Sequence, residues 1–160
     1  MEFRQKGSYY NNNRAISFSV KPETKPKTKT VIRLDEENYV DLAEAAIKSL
    51  SARKNAKGKS LMPTTSKIRN LLAMTSDIYN DVMNSGETGL SPEVVERINY
   101  LKIRTVYEAG RDEQVKAMVD EAAILDHLKE IKKDRAQFIR FCRYMEALVA
   151  YHRFYGGKDH

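Results

Sequence analysis

The chain has 160 residues, 41% hydrophobic and 31% charged, with seven Gly, four Pro, one Cys and no Trp. That length suits one domain with its own core, and no run approaches the roughly 18 apolar residues of a membrane-spanning helix. Sparse Gly and Pro set aside a turn-rich all-β fold, while a formal net charge of +6 raises the question of a polyanionic partner.

That charge is unevenly placed. Met1 to Arg33 holds eight Lys/Arg against Glu2 and Glu23, a surplus of six, so the remaining chain balances at 20 basic and 20 acidic residues. The opening Met1-Glu2-Phe3-Arg4 leads into no apolar h-region, so no secretory signal is expected. A single Cys142 can close no internal disulfide and reads as a reduced, buried thiol of a cytoplasmic protein.

Residues 1–33 contain Asn11-Asn12-Asn13 and a Lys/Pro/Thr-rich run from Lys21 to Thr30. They predict a disordered basic tail, with Ala15 to Val20 alternating enough for a short strand. Asp35 then offers an N-cap, and Tyr39, Ala43, Ala46, Ile47 and Leu50 make an amphipathic helix ending near Ala52. Arg53 to Ser60 is a basic loop. Pro63-Thr64-Thr65-Ser66 opens a second helix with a stripe of Ile68, Leu71, Leu72, Thr75, Ile78, Tyr79, Val82 and Met83. Ser91-Pro92 caps a third, its stripe formed by Val94, Ile98, Leu101 and Thr105 with Val95, Val106 and Tyr107 beside it, and Gly110 is its expected breaker. From Asp112 to Tyr155 there is no Gly or Pro, which predicts two or more helices with a break near Asp126 to Lys129. The last, carrying Phe138, Phe141, Cys142, Tyr144, Met145, Leu148 and Val149, is apolar over most of its circumference and is expected at the centre of a bundle. The expectation is an all-α fold: a compact bundle of about five helices over 34–160 behind the tail.

Chemistry-bearing patterns are scarce. His127, His152 and His160 stand in no metal-ligand spacing. Asp77 and Asp81, at i,i+4, supply too few oxygens for a cation cage and read as a solvated face. Walker A, G-x-G-x-x-G, G-x-S-x-G and H-E-x-x-H motifs do not occur. No active site, metal or cofactor is expected. The basic segments suit a polyanion through counterion release, and they equally suit solvation; charge alone leaves both open. Lys67 and Arg69 sit at a helix N-terminus, where cations oppose the dipole unless an anion compensates. Arg97 and Arg104 have carboxylates four residues away, Glu93 and Glu108, which predicts surface pairing.

Three stretches together carry a resemblance: Thr64 to Leu72 (TTSKIRNLL), Tyr100 to Asp112 (YLKIRTVYEAGRD) and Ala147 to Gly157 (ALVAYHRFYGG). In this order the set resembles the small subunit, of Csm type, of type III-A CRISPR effector complexes, over roughly Met62 to Lys158. The resemblance implies a non-catalytic helical bundle stacked in several copies along the effector, beside its backbone and large subunits, against crRNA and target RNA. It carries RNA contact onto Lys67, Arg69, Lys102, Arg104 and Arg111, with Arg140 and Arg143 as weaker additions from the last helix. Tyr107 and Tyr151 could stack on bases, though core packing is the expected use of both. Copy-to-copy contact would fall on opposite ends of the bundle, the acidic start Asp35 to Glu44 and the loop Arg53 to Lys59. A stand-alone helical nucleic-acid-binding regulator and a helical protein–protein adaptor are the alternative readings.

Overall fold

The computed structural model of the protein describes residues 30–159 and contains six helices. The tail expectation, up to residue 29, and the short strand at Ala15 to Val20 lie outside the described residues. The helices are α1 Tyr39–Ala52, α2 Thr65–Asn84, α3 Pro92–Arg111, α4 Glu113–Glu121, α5 Ile124–Ile131 and α6 Arg135–Phe154. Among the described residues the only β pairing is an isolated antiparallel bridge between Lys54 and Ser60. The fold is all-α, as the apolar stripes predict.

Local chemistry sets the helix ends. Ser91 accepts a hydrogen bond from the Val94 N–H at 3.2 Å, with Pro92 at the first helical position. Asp35 does not cap α1 directly. Its Oδ1 accepts from the N–H groups of Glu37 and Asn38 at 2.9 and 2.8 Å, a side-chain turn that delivers the chain to a helix starting at Tyr39. Gly110 does not break α3, which continues to Arg111. The stop comes from Asp112, whose extended backbone leaves its carboxylate to cap α4 through the N–H groups of Gln114 and Val115.

The segment after Asp112 breaks twice, and the expected break near Asp126 to Lys129 falls inside α5. The actual turns lie at Ala123 and Lys132, both with positive φ, 48° and 50°. Neither residue type favours the left-handed region, so tertiary packing imposes these turns. Asp134 then restarts the chain by accepting from the Gln137 N–H at 3.1 Å.

α6 is the central helix, packed against α1, α2 and α5. Phe138, Phe141, Tyr144, Met145 and Leu148 are fully buried on it. Cys142 is buried too, and desolvation pushes its thiol well above the ordinary range, which agrees with an inert core residue. The Tyr144 hydroxyl donates to the Ala122 carbonyl at 2.9 Å, tying α6 to the α4–α5 turn. His127 meets the Tyr144 ring edge-on, centroids 5.0 Å apart. Burial lowers the His127 imidazole below its usual value, against the opposing pull of Asp126 and Glu130. The unfolded chain therefore binds the extra proton, so this contribution to stability is complete above about pH 6.5 and declines as pH falls below it. Chemical denaturation should show a midpoint that drops from about pH 7.5 to about pH 5.5, and drops less in His127→Phe; equal drops would show that another group governs the acid limb.

The C-terminal end of α6 is clamped to the start of α2. His152 is fully buried and its Nε2–H donates to the Pro63 carbonyl at 2.7 Å. The Thr65 N–H and hydroxyl both donate to the Lys158 carbonyl, at 2.8 and 3.1 Å. Gly156, with φ +85°, turns the chain back, and a Cβ at Gly157 would collide with the His152 ring. Gly157→Ala is accordingly expected to cost about 2 kcal/mol through overpacking, measurable as a lowered denaturation midpoint. A neutral result would show that His152 can yield.

Candidate nucleic-acid interface

The helical cations are largely committed to carboxylates. Lys67, in the first turn of α2, places Nζ 2.5 Å from Asp112 Oδ2 and donates to Gln114 Oε1 at 3.0 Å. Burial alone would raise the Asp112 carboxyl; the Lys67 ammonium and the Val115 and Gln114 N–H groups outweigh it and hold the carboxyl below its ordinary value. Arg104 reaches Glu108 at 3.4 Å, and Arg111 lies 3.9 Å from the same carboxylate. Arg97 pairs with Asp81 across the α2–α3 interface rather than with Glu93 in its own helix. Arg140 contacts Glu36 at 3.3 Å and Gln137 at 3.3 Å. Arg143 contacts Glu146 at 3.2 Å and the Tyr79 hydroxyl at 3.3 Å. Among the described residues Lys102 donates only to Asn99, at 3.2 Å. Arg69 is exposed, and among the described residues it has no hydrogen-bond or ion-pair partner.

Lys67, Arg111 and Asp112 line one cleft of about 270 Å³ with Ser66, Asn70 and Glu108, where the start of α2 meets the end of α3. Arg104 shares Glu108 with Arg111 at the edge of this cleft, whereas Lys102 falls on the opposite side of α3 from Arg111, and Arg69, two residues from Lys67, falls on another side of α2. Arg140 and Arg143, on α6, do not join this cluster; their contacts run to Glu36 before α1 and to Tyr79 on α2.

Tyr107 departs from the expected core position. It is 57% exposed, with the Arg104 and Arg111 guanidinium groups 5.8 and 5.6 Å from its ring centre. Val106 is exposed as well. The reason is angular: α3 turns Val94, Ile98, Leu101 and Thr105 to the core, and at 3.6 residues per turn Tyr107 falls on the opposite side. Tyr151 is half-buried and stacks on Tyr155, centroids 6.2 Å apart.

The loop after α1 is an ordered turn. Asn55 Oδ1 accepts from the N–H groups of Lys57 and Lys59 at 3.0 and 2.9 Å, Gly58 supplies φ +72°, and Asn55 Nδ2 donates to Glu113 at 3.1 Å. Gln114 links this loop to Lys67, since its amide donates to the Ser60 carbonyl at 3.0 Å while its Oε1 accepts from Lys67. The loop holds Lys54, Lys57 and Lys59 exposed, without a carboxylate partner among the described residues. These three are the functional candidates that the residue-by-residue resemblance leaves out. Their signal is the acid-free basic run itself.

No group of three His, Cys, Asp or Glu side chains able to hold a metal ion occurs among the described residues, and no described helix is long and apolar enough to cross a membrane.

The family model Csm2 Type III-A matches residues 37–158. The chain belongs to the Csm2 family. It is 51% identical over 126 residues to the "CRISPR system Cms protein Csm2" of Streptococcus thermophilus, covering 79% of this chain and 98% of that protein. A Mycobacterium tuberculosis protein of the same name is 38% identical over 124 residues, 78% of this chain and 96% of the relative. One from Enterococcus italicus is 40% identical over 95 residues, 58% of this chain and 67% of the relative. Csm2 proteins are type III-A CRISPR small subunits, so this chain is a small subunit of that class. The three stretches that carry the resemblance lie inside the matched range, and two of them meet at the clamp: Thr65 of the first bonds Lys158, just past Gly157 of the third. The second reaches the first through Lys67 and Asp112.

Proposed function

We propose that this Csm2 chain is a non-catalytic subunit of an RNA-guided effector in antiviral defence, stacked in several copies beside the backbone and large subunits and touching crRNA and target RNA through basic side chains. The division on this reading is a basic tail over 1–33 and a helical bundle over 34–160, and the setting is the cytoplasm. One observation carries the RNA reading. The unpaired lysines of the 54–59 loop, Arg69, and the Lys67–Arg111 cleft converge on the end of the bundle where the three characteristic stretches meet. Phosphate contacts there would give affinity with little sequence preference, as suits a system in which base pairing to a guide reads the sequence.

Charge lost from this end should show in salt dependence. For single-stranded RNA, log K against log salt is expected to flatten by about 0.7 per phosphate contact removed. Ala at Lys67, Arg69, Lys102, Arg104 and Arg111 together should flatten it, and Ala at Lys54, Lys57 and Lys59 should flatten it further. Filter binding across a salt series measures both, and an unchanged slope in both variants would overturn the assignment. Arg140→Ala and Arg143→Ala, away from the cluster, are expected to move the slope less.

Copy number tests the stacking. Native mass spectrometry of the assembled effector is expected to give more than one Csm2 per complex, and charge reversal at Glu36 and Glu37 to lower that number if the acidic start of α1 faces the basic loop of the next copy. A single copy per complex would overturn the stacking; an unchanged number in the reversed variant would remove only the charge pairing.

A further inference from the structure

Gln114 stands half-buried in the first turn of α4, between two surfaces that carry positive charge. Its Oε1 accepts from Lys67 Nζ at 3.0 Å, and its Nε2 donates to the Ser60 carbonyl at 3.0 Å. The opposite amide orientation would set an NH2 group against an ammonium and one oxygen against another, so the two bonds fix each other. The backbone is held as well. The Gln114 N–H donates to Asp112 Oδ1 at 2.9 Å, while Asp112 Oδ2 meets the Lys67 ammonium. Lys67, Asp112 and Gln114 therefore close a small ring of charge-assisted bonds, a stronger class than neutral ones.

The far side of the amide carries the loop. Ser60 lies in the closing arm of the 53–61 turn, whose two arms bond through the Leu61 N–H to the Arg53 carbonyl at 3.1 Å and the Asn55 N–H to the Lys59 carbonyl at 2.8 Å. The loop reaches α4 at two further points, Asn55 to Glu113 and Arg53 to Glu121. The tie at Gln114 differs from these in depending on a cation of the cleft. An ammonium on Oε1 polarises the amide and strengthens the donation from Nε2, so Lys67 acts on the loop through one side chain. An ammonium has three donors. With Asp112 and Gln114 taking two, the third has no acceptor among the described residues and is open to a phosphate oxygen.

We propose that Gln114 is a positioning residue that couples the Lys67 cleft to the loop carrying Lys54, Lys57 and Lys59, so that a phosphate-bearing strand meets both as one unit. The coupling rests on the RNA reading above and adds to it. Cleft and loop do not contribute independently, because loss of Lys67 also loosens the loop.

Hydrogen exchange of the full chain without RNA tests the link itself. Lys67→Ala and Gln114→Ala should each speed exchange in peptides spanning the 53–61 loop by about fivefold, the weight of one ordinary hydrogen bond. The double variant K67A/Q114A should speed it no more than either alone. Asn70→Ala removes another side chain of the same cleft, one that bonds neither Gln114 nor the loop, and should leave loop exchange unchanged. Loop exchange indifferent to K67A would overturn the proposal, as would a rise shared equally by peptides of α6, which would make the role of Gln114 merely structural. Filter binding of a single-stranded RNA at one salt concentration reads the functional half. In the native chain, the loss of affinity from K67A and the loss from Ala at Lys54, Lys57 and Lys59 should combine to less than their product. In the Q114A chain the two losses should multiply. Losses that multiply in both chains would overturn the proposal and leave the RNA reading standing. RNA affinity indifferent to all of these changes, with the exchange link intact, would overturn the RNA reading and leave the coupling of cleft and loop standing.

Discussion

The burial of α6 on three sides is the constraint on which the rest of the molecule depends. A helix with Phe138, Phe141, Tyr144, Met145 and Leu148 all out of water needs apolar cover around most of its circumference, and α1, α2 and α5 supply it. Its C-terminal end is then fixed by His152 on the Pro63 carbonyl and by the Lys158 carbonyl on Thr65. Because that clamp seats the first turn of α2 against α6, it also sets where Lys67 and Arg69 stand. Tyr155 completes the seat on the α1 side, its hydroxyl donating to Glu44 at 2.5 Å while Lys48 pairs with the same carboxylate at 2.8 Å. The Lys48 ammonium foremost, and the Tyr155 hydroxyl after it, hold that carboxyl below its ordinary value.

Ion pairs in this protein orient more than they stabilise. Exposed pairs contribute about 0–1 kcal/mol each, yet several cross between elements: Lys67 to Asp112, Arg53 to Glu121, Arg33 to Asp134 and Arg97 to Asp81. Each fixes a relative rotation that apolar packing alone leaves soft. Together with the pairs formed within single helices, they engage most of the helical positive charge. Among the described residues the cations without a carboxylate in ion-pair reach include Lys54, Lys57 and Lys59 of the loop, Arg69, Lys102, Lys132, Lys133 and Lys158, so the electrostatic character of the surface is decided by pairing geometry as well as by the count of Lys and Arg.

The parts of the fold legible in the sequence are those that local rules decide. The stripes of α1, α2 and α6 and the Ser91-Pro92 start of α3 follow from periodicity and capping. The turns at Ala123 and Lys132 were illegible because no Gly or Asn marks them; packing of α5 under α6 forces an unfavourable φ on residues that do not ask for it. Gly110 misled in the opposite direction, since a glycine without positive φ is tolerated inside a helix when the next residues supply the stop, here Asp112. At the candidate interface the basic residue types could be read, but their partners could not. Arg97 has a carboxylate four residues away and instead pairs with Asp81 on another helix. The sequence sets Tyr107 beside the core stripe of α3 together with Val95 and Val106, but Tyr107 and Val106 are both exposed.

The carboxylate pairing of most helical cations has a consequence for how the helical bundle would hold RNA on the function proposed here. Among the described residues ten helical cations already share carboxylates, so much of the positive charge of the bundle is not free to neutralise phosphate fully. Its affinity for RNA would be modest and salt-sensitive. Several copies held in register along one strand change the arithmetic, because each further contact becomes intramolecular and the weak terms multiply. Tight binding would then belong to the assembly and not to the subunit, and a free subunit would carry no strong grip on unrelated RNA. The intramolecular carboxylates contribute to that restraint. On that function Glu108 and Asp112 would compete with phosphate for Lys67, Arg104 and Arg111, so these side chains would yield only to an anion presented at the geometry the cleft accepts.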